Sequence, residues 1–299
     1  MTLVYPSYYP HFSCIADRCR HSCCIGWEID LDGETLGKYK NAPGEMGERL
    51  RKGIEETEDG AHFRLTKDER CPFLNNRGLC DLIIAWGEES LCQICRDHPR
   101  FRSFYSDRTE IGLGLCCEEA GRLILSWQER TELLNEEESV EPEEKEFFAL
   151  RRELTELAQD RLLPFEKRME KIRVCCGLAD DARTPKDWAG FYLSLERMEE
   201  DWARRLEKIQ MESWPAIPKE LEIAFEQLLV YFLYRHLPGA LEDGMYPERV
   251  AFCLLSVKMI AALLPRNATM EDLIEIARMY SAEIEYSDEN IQALLDEMV

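Results

Sequence analysis

The sequence lacks any apolar run long enough to cross a lipid bilayer. Its longest apolar stretch, from Val250 to Leu264, is interrupted by Ser256 and Lys258 and is shorter than the roughly 20 residues that a membrane-spanning helix needs. The amino terminus has neither a basic start nor an apolar block followed by small residues, which are the marks of a secretory signal. We therefore expect no membrane segment and a cytoplasmic location.

Positive charge is also scarce. The 299 residues include 37 Lys and Arg against 59 Asp and Glu, and the formal net charge is −22. Such a chain repels phosphate backbones and anionic lipid headgroups, so nucleic acids and membrane surfaces are not expected partners. With 45% hydrophobic and 32% charged residues, the composition is that of a globular protein with a buried core.

Cysteine, in contrast, is abundant and unevenly distributed. Ten of the thirteen cysteines lie between residues 14 and 117. Because a reducing compartment keeps thiols free, many cysteines there usually serve metal binding or redox chemistry. The other three, Cys175, Cys176 and Cys253, lie in apolar helical contexts and are expected to be buried as small apolar side chains. Two regions of different chemistry are predicted.

Two groups of cysteines have spacings that suit a shared metal. The second group includes Cys92-x2-Cys95, a spacing that lets two sulfurs on one turn bind the same centre. The first group places four thiols within eleven residues: Cys14, Cys19, Cys23 and Cys24. Four thiolates satisfy either zinc or an iron–sulfur cluster, so the thiols allow either metal, or two centres. The nearby histidines are expected beside the ligands rather than among them: His11, His21 and His98.

The composition changes between Glu129 and Glu146, where nine acidic residues face two basic ones. Such a run is typical of a solvated connector or of the exposed first turns of a helix. We place a boundary near residue 135, which gives a Cys-rich metal-binding domain over residues 1–135 and an α-helical bundle domain over residues 136–299. The first domain should contain little regular structure, because its short apolar runs are cut by Gly, Pro and a turn sequence at 75–78.

Beyond the boundary, apolar residues recur with helical periodicity. A stripe from Trp188 to Ile209 predicts one helix of six turns. Further helices are predicted at 147–157, 221–232, 250–264, 273–280 and 289–298. Two capping sequences predict helix starts: Thr184 with Pro185 and Asp187, and Thr269 with Asp272. The sequence therefore predicts a mainly α protein, in which an irregular Cys-rich metal-binding region precedes an irregular helical bundle.

Six short motifs follow one another between roughly residues 5 and 127. They are Tyr8-Tyr9-x2-Phe12-x-Cys14, Cys19-x3-Cys23-Cys24-x2-Trp27, Cys71-Pro-Phe-Leu, Cys80-Asp-Leu-Ile, Cys92-x2-Cys95-Arg-x2-Pro-Arg and Cys117-x-Glu-Ala-x-Arg122-Leu. Together they resemble the flagellin lysine-N-methylase family. That family is itself similar to small proteins described as binding zinc or an iron–sulfur centre through cysteines.

The resemblance implies a [4Fe-4S]-containing enzyme that transfers a methyl group from S-adenosylmethionine to lysine side chains of flagellin or a related protein. Zinc is the alternative metal. The metal ligands that it implies are Cys14, Cys19, Cys23, Cys24, Cys71, Cys80, Cys92, Cys95 and Cys117. Cys116 is a weaker match to the family pattern and is left out, and no residue is assigned as the catalytic base.

Three arginines close in sequence to these thiols are candidates for cofactor binding: Arg96, Arg100 and Arg122. A guanidinium can bind the carboxylate of the cofactor with two hydrogen bonds. The structural alternative is that they balance thiolate charge or pair with acids such as Asp97 and Glu119. The sequence contains no glycine-rich strand–turn–helix motif, so the usual nucleotide-binding fold is not indicated.

A second hypothesis treats the protein as non-enzymatic. In it, the thiols form a zinc or iron–sulfur module with a structural or redox-sensing role, which presents the helical region to a partner. This hypothesis predicts metal without turnover, and loss of folding when the metal is removed.

Overall fold

The computed structural model describes residues 2–58, 60–136 and 141–298. Its strands are β1 (Thr2–Pro6), β2 (Ile54–Glu56), β3 (Ala61–Phe63), β4 (Arg100–Phe104), β5 (Arg108–Leu113) and β6 (Leu133–Leu134). Its α-helices are α1 (Gly33–Lys40), α2 (Gly44–Gly53), α3 (Asp81–Trp86), α4 (Gln93–Asp97), α5 (Glu118–Leu125), α6 (Pro142–Ala158), α7 (Phe165–Cys175), α8 (Pro185–Tyr192), α9 (Glu200–Glu207), α10 (Glu222–His236), α11 (Ala240–Asp243), α12 (Tyr246–Leu263), α13 (Met270–Tyr280) and α14 (Asp288–Asp296). The prediction of a mainly α protein is confirmed. Within the residues described, no helix combines the length and the apolar character that crossing a membrane requires.

The chain divides into two compact units. We call Ser13–Phe101 the thiol unit, and the described residues of Met1–Phe12 with Arg102–Val299 the helical unit. The boundary expected near residue 135 follows a change of charge, whereas the units follow packing: 102–135 folds with the helices that come later in the chain. Residues 137–140 of the acidic run lie outside the described residues.

The thiol unit has more regular structure than expected. Helix α1 has eight residues and α2 has ten, and β2 and β3 form an antiparallel pair with Ile54 opposite Phe63. The two helices form because Leu36 with Tyr39, and Met46 with Leu50, are spaced by three or four residues and reach the same apolar core. The predicted turn is present, with the Gly78 N–H donating to the Asn75 carbonyl at 3.0 Å.

The helical unit contains a four-stranded sheet that periodicity did not predict. The strand order is β4-β5-β1-β6. Strand β1 runs parallel to β5, with Leu3 opposite Thr109, and antiparallel to β6, with Pro6 opposite Leu133. Because β1 pairs with strands more than 100 residues away, no local pattern reveals its place in the sheet.

Two almost fully buried helices, α10 and α12, form the centre of the helical unit. Helix α10 packs against α12, α5 and α6, and α13 packs against α5 and α12. The stripes at 147–157, 221–232, 250–264, 273–280 and 289–298 correspond to α6, α10, α12, α13 and α14. Both predicted capping boxes are present, at Thr184 with Asp187 and at Thr269 with Asp272.

The prediction of one helix from Trp188 to Ile209 is wrong. The segment forms α8 and α9, and both Trp188 and Trp202 are buried. Between the helices, the Glu283 carboxylate accepts the N–H groups of Met198 and Glu199 at 2.8 and 2.6 Å. These amides therefore bond to a side chain, not to carbonyls one turn earlier, and the apolar stripe continues without a continuous helix.

Candidate metal centre

Five cysteines of the thiol unit meet on one apolar core. Cys71 and Cys92 are buried in it, and Cys24, Cys80 and Cys95 pack against it. None of the thirteen cysteines, all of which lie in the described residues, is joined in a disulfide. The structure thus brings five of the nine predicted ligands to one apolar core.

Backbone hydrogen bonds bring the separated segments together. The Cys71 N–H donates to the Cys24 carbonyl at 2.8 Å, and the Asp81 N–H donates to the Phe73 carbonyl at 2.8 Å. The first bond joins the two cysteine groups of the sequence. The second closes the turn that places Cys80 near Cys71.

The Cys92-x2-Cys95 pair occupies the start of α4. Cys92 is its N-cap residue, and the Arg96 N–H donates to the Cys92 carbonyl at 3.1 Å. The Asp32 carboxylate accepts the N–H of Thr35 in α1 and the N–H of Gln93 in α4, both at 2.9 Å. One carboxylate thus caps both helices and fixes the backbone that carries the pair.

The thiols shift one another's pKa values. A hydrogen bond between Cys92 and Cys95 lowers the pKa of Cys92 and raises that of Cys95. Hydrogen bonding with the Cys23 thiol lowers the pKa of Cys24 to about 7, against the effect of burial. Burial, with smaller contributions from the charges of Cys24 and Cys80, raises the pKa of Cys71 to about 12. A bound cation would favour the thiolate forms of Cys71 and Cys95, which burial and the neighbouring thiols oppose.

The other predicted ligands lie in different surroundings. Cys14 is exposed, and its sulfur accepts the Ala16 N–H at 3.4 Å. The Cys19 thiol donates to the His21 carbonyl at 3.2 Å. Cys23 is exposed beside Cys24, and Cys117 belongs to the helical unit, where it is the N-cap residue of α5.

The five central thiols fit a thiophilic metal in the kind of donor and in their grouping on one core. Among the described residues, no three His, Cys, Asp or Glu side chains stand in positions that hold one metal ion. Two pairs of thiols are hydrogen-bonded to each other, Cys23 with Cys24 and Cys92 with Cys95. These pairs are the natural starting points for a thiolate-bound centre.

The predicted cofactor-binding arginines have other contacts. Arg122 forms ion pairs with Glu118 at 3.1 Å, Glu119 at 3.4 Å and Glu271 at 2.5 Å. Arg96 donates to the Gln93 side chain at 2.9 Å, and Arg100 donates to the Arg96 carbonyl at 3.4 Å. Arg122 therefore pairs with acidic residues, as the alternative to cofactor binding predicts. Cofactor binding by the three arginines stays a prediction.

A cleft of about 400 Å³ in the helical unit was not predicted from the sequence. Its walls come from the start of the chain, from the segment around β6, and from α6 and α10. Residues that line it include Tyr8, Arg130, Glu132, Phe148, Glu156 and Tyr234. Sequence reasoning could not find it, because no two of its walls share a motif.

The family described as the FliB lysine N-methylase C-terminal domain matches residues 111–299. This match covers more than half of the chain, and the chain belongs to that family. The resemblance expected from the cysteine motifs is therefore confirmed for the family, through the helical part of the chain.

Three relatives add detail. The chain is 29% identical over 132 residues to the lysine-N-methylase of Salmonella choleraesuis (strain SC-B67), which covers 42% of this chain and 33% of the relative. It is 28% identical over 132 residues to the flagellar biosynthetic protein FliU of Salmonella muenchen, covering 42% of this chain and 78% of the relative. It is also 28% identical over 132 residues to the lysine-N-methylase of Salmonella typhimurium (strain LT2). This match covers 42% of this chain and 33% of the relative. The matches span about a third of the length of both lysine-N-methylases. No solved structure matches the chain.

Proposed function

We propose that the protein transfers a methyl group from S-adenosylmethionine to lysine side chains of flagellin or a related protein. The observation that carries this proposal is the match of residues 111–299 to a domain described by lysine N-methylase activity. Two relatives are named lysine-N-methylases and a third is named a flagellar biosynthetic protein, which supports flagellin as the acceptor.

The reaction requires a neutral lysine amine. Its nitrogen lone pair forms the bond to the methyl carbon, while the sulfur keeps the electron pair of the broken bond. Because the ordinary pKa of lysine is about 10.4, the protein has to remove a proton before or during transfer. The net charge of −22 attracts a cationic lysine side chain and a cationic cofactor.

We also propose that the thiol unit binds a [4Fe-4S] cluster, or zinc in its place. The residues that would hold it are Cys24, Cys71, Cys80, Cys92 and Cys95. Bound there, a cluster would supply one-electron redox chemistry, and either metal would cross-link the segments that carry the thiols. Asp32 positions the backbone of the Cys92 pair through its bond to the Gln93 N–H.

Anaerobic purification followed by incubation with methyl-labelled S-adenosylmethionine and flagellin tests this function. We expect label on flagellin lysines by mass spectrometry, and a brown protein with iron and sulfide if the centre is a cluster. A metal-loaded protein that transfers no label to flagellin would contradict the proposal. Metal without turnover is the result expected of the non-enzymatic hypothesis, which family membership does not favour.

A further inference from the structure

A tyrosine side chain lines the cleft in the helical unit. Tyr8 lines the cleft and is 2% exposed, and its hydroxyl forms no hydrogen bond with another described residue. Burial raises the pKa of Tyr8, so the side chain stays neutral and can both donate and accept. A polar group held in this way favours a ligand that completes its hydrogen bonding.

One wall of the cleft is aromatic and rigid. The buried Arg151 guanidinium lies 5.1 Å from the Phe148 ring centroid and 5.3 Å from that of Tyr234. It is held by two hydrogen bonds to the Glu110 carboxylate, each 2.6 Å long. The charge of Arg151 is therefore balanced inside the protein, and the side chain supports the rings instead of offering a free cation.

Charges of both signs remain available at the cleft. Arg130 forms no ion pair or side-chain hydrogen bond with the described residues, and neither do the carboxylates of Glu132 and Glu156. A lysine side chain alone would leave Arg130 without a counter-ion and is small for a space of about 400 Å³. A zwitterion that also carries an aromatic base matches the charges, the rings and the volume.

We propose that this cleft binds S-adenosylmethionine. Arg130 pairs with its carboxylate, Glu132 or Glu156 pairs with its ammonium, and the Tyr8 hydroxyl bonds to a polar group of the ligand. The exposed edges of Phe148 and Tyr234 give the cleft an apolar wall against which the adenine can pack. This inference rests on the proposed function and gives its cofactor a site other than the three arginines selected from the sequence.

The test measures binding of S-adenosylmethionine and S-adenosylhomocysteine to the full chain by calorimetry. We expect Tyr8→Phe to weaken binding about three- to tenfold and Arg130→Gln about tenfold. Thr155→Trp, which fills the cleft from α6, should abolish binding. Matched controls outside the lining of the cleft are Tyr5→Phe and Arg266→Gln. Arg122→Gln tests the alternative cofactor site that was selected from the sequence. Thermal unfolding of each variant separates lost binding from lost folding.

The outcomes are distinct for the site and for the function. Wild-type binding with losses confined to the cleft variants supports the site, even if no methyl group reaches lysine, and in that case only the proposed function fails. Cleft variants that stay folded and bind like the controls overturn the site, as does a loss confined to Arg122→Gln. Absence of binding by the wild-type protein overturns it too.

Discussion

The thiol unit and the helical unit are stabilised by different means. In the helical unit, α10 and α12 are buried over almost their whole length, and large side chains such as Trp188 and Trp202 are 1% exposed. In the thiol unit a small core of aromatic and aliphatic residues includes two buried cysteines. Because small cores stabilise a fold only marginally, we expect a cross-link to stabilise the thiol unit more than the helical unit.

Buried charge shows the same contrast. The helical unit encloses complete ion pairs, among them Arg151 with Glu110 at 2.6 Å and Arg168 with Glu226 at 2.7 Å. In the thiol unit, pairs such as Lys38 with Glu34 lie on the surface, with side chains 66% and 80% exposed, where ion pairs contribute little. Among the described residues of the thiol unit, no Asp, Glu, Lys or Arg side chain is buried, whereas Cys71 and Cys92 are.

If the thiol unit binds the proposed metal, removing that metal gives the largest expected effect. Structural zinc contributes about 10–16 kcal/mol to the folding of small domains, so chelation should unfold the thiol unit and leave the helical unit folded. Hydrogen exchange would show lost protection in peptides from 13–101 and unchanged protection in α10 and α12. Cys92→Ser with Cys95→Ser should reproduce this loss, whereas the exposed Cys175→Ser should not. Unchanged exchange after complete metal removal would show that the folding of the thiol unit depends on a metal no more than that of the helical unit.

The second prediction concerns the buried Glu285 carboxylate. It bonds to the Tyr231 hydroxyl and to His236 Nε2, each at 2.7 Å. Although burial opposes ionisation, the charge of Arg235, with help from His236, lowers the pKa of Glu285 to about 2. Glu285→Gln removes the charge opposite Arg235 and should destabilise the helical unit by about 3–5 kcal/mol at neutral pH.

The pH dependence of this effect has a defined sign. The folded-state pKa of Glu285 lies below its ordinary value of 4.5. Its contribution is therefore present above pH 4.5 and is lost as the pH falls towards about 2. The gap in unfolding free energy between wild type and Glu285→Gln should narrow over this range. Glu170→Gln is the control, because Glu170 is an exposed carboxylate that pairs with Arg173. A gap that stays constant from pH 7 to pH 2 would contradict the ionised state of Glu285.

The part of each unit that can be predicted from the sequence depends on how far apart in the chain the interacting residues lie. Helix starts at Thr184 and Thr269 are encoded within four residues, and both are present. The break between α8 and α9 depends on the Glu283 carboxylate, about 80 residues away. Periodicity therefore identified the buried stripe but could not detect the competing partner of the backbone amides.

The same limit applies to the sites. Spacing identified Cys92 and Cys95 as a pair, because both lie on one turn of α4. Which other thiols join them depends on long-range bonds such as that from the Cys71 N–H to the Cys24 carbonyl. Tyr8 belongs to a sequence motif, but no motif joins it to the other walls of the cleft, which meet only after β1 pairs with β6.

The smallest expected effect compares one helix cap from each unit. Thr269 caps α13 through a local capping box with Asp272, and Thr269→Ala should cost about 1 kcal/mol. Asp32 caps α1 and also accepts the Gln93 N–H of α4, 61 residues away. Asp32→Ala removes two caps and should cost about 2 kcal/mol.

Local amide exchange distinguishes these two losses, because a chain of two units need not unfold in one step. Thr269→Ala should accelerate exchange at the start of α13 alone. Asp32→Ala should accelerate it at the starts of both α1 and α4, and Asp32→Asn should spare one of the two, since an amide side chain keeps a single acceptor oxygen. If Asp32→Ala affected only α1, the carboxylate would not position the Cys92 pair. The order of the thiol unit would then depend on its core and on the proposed metal.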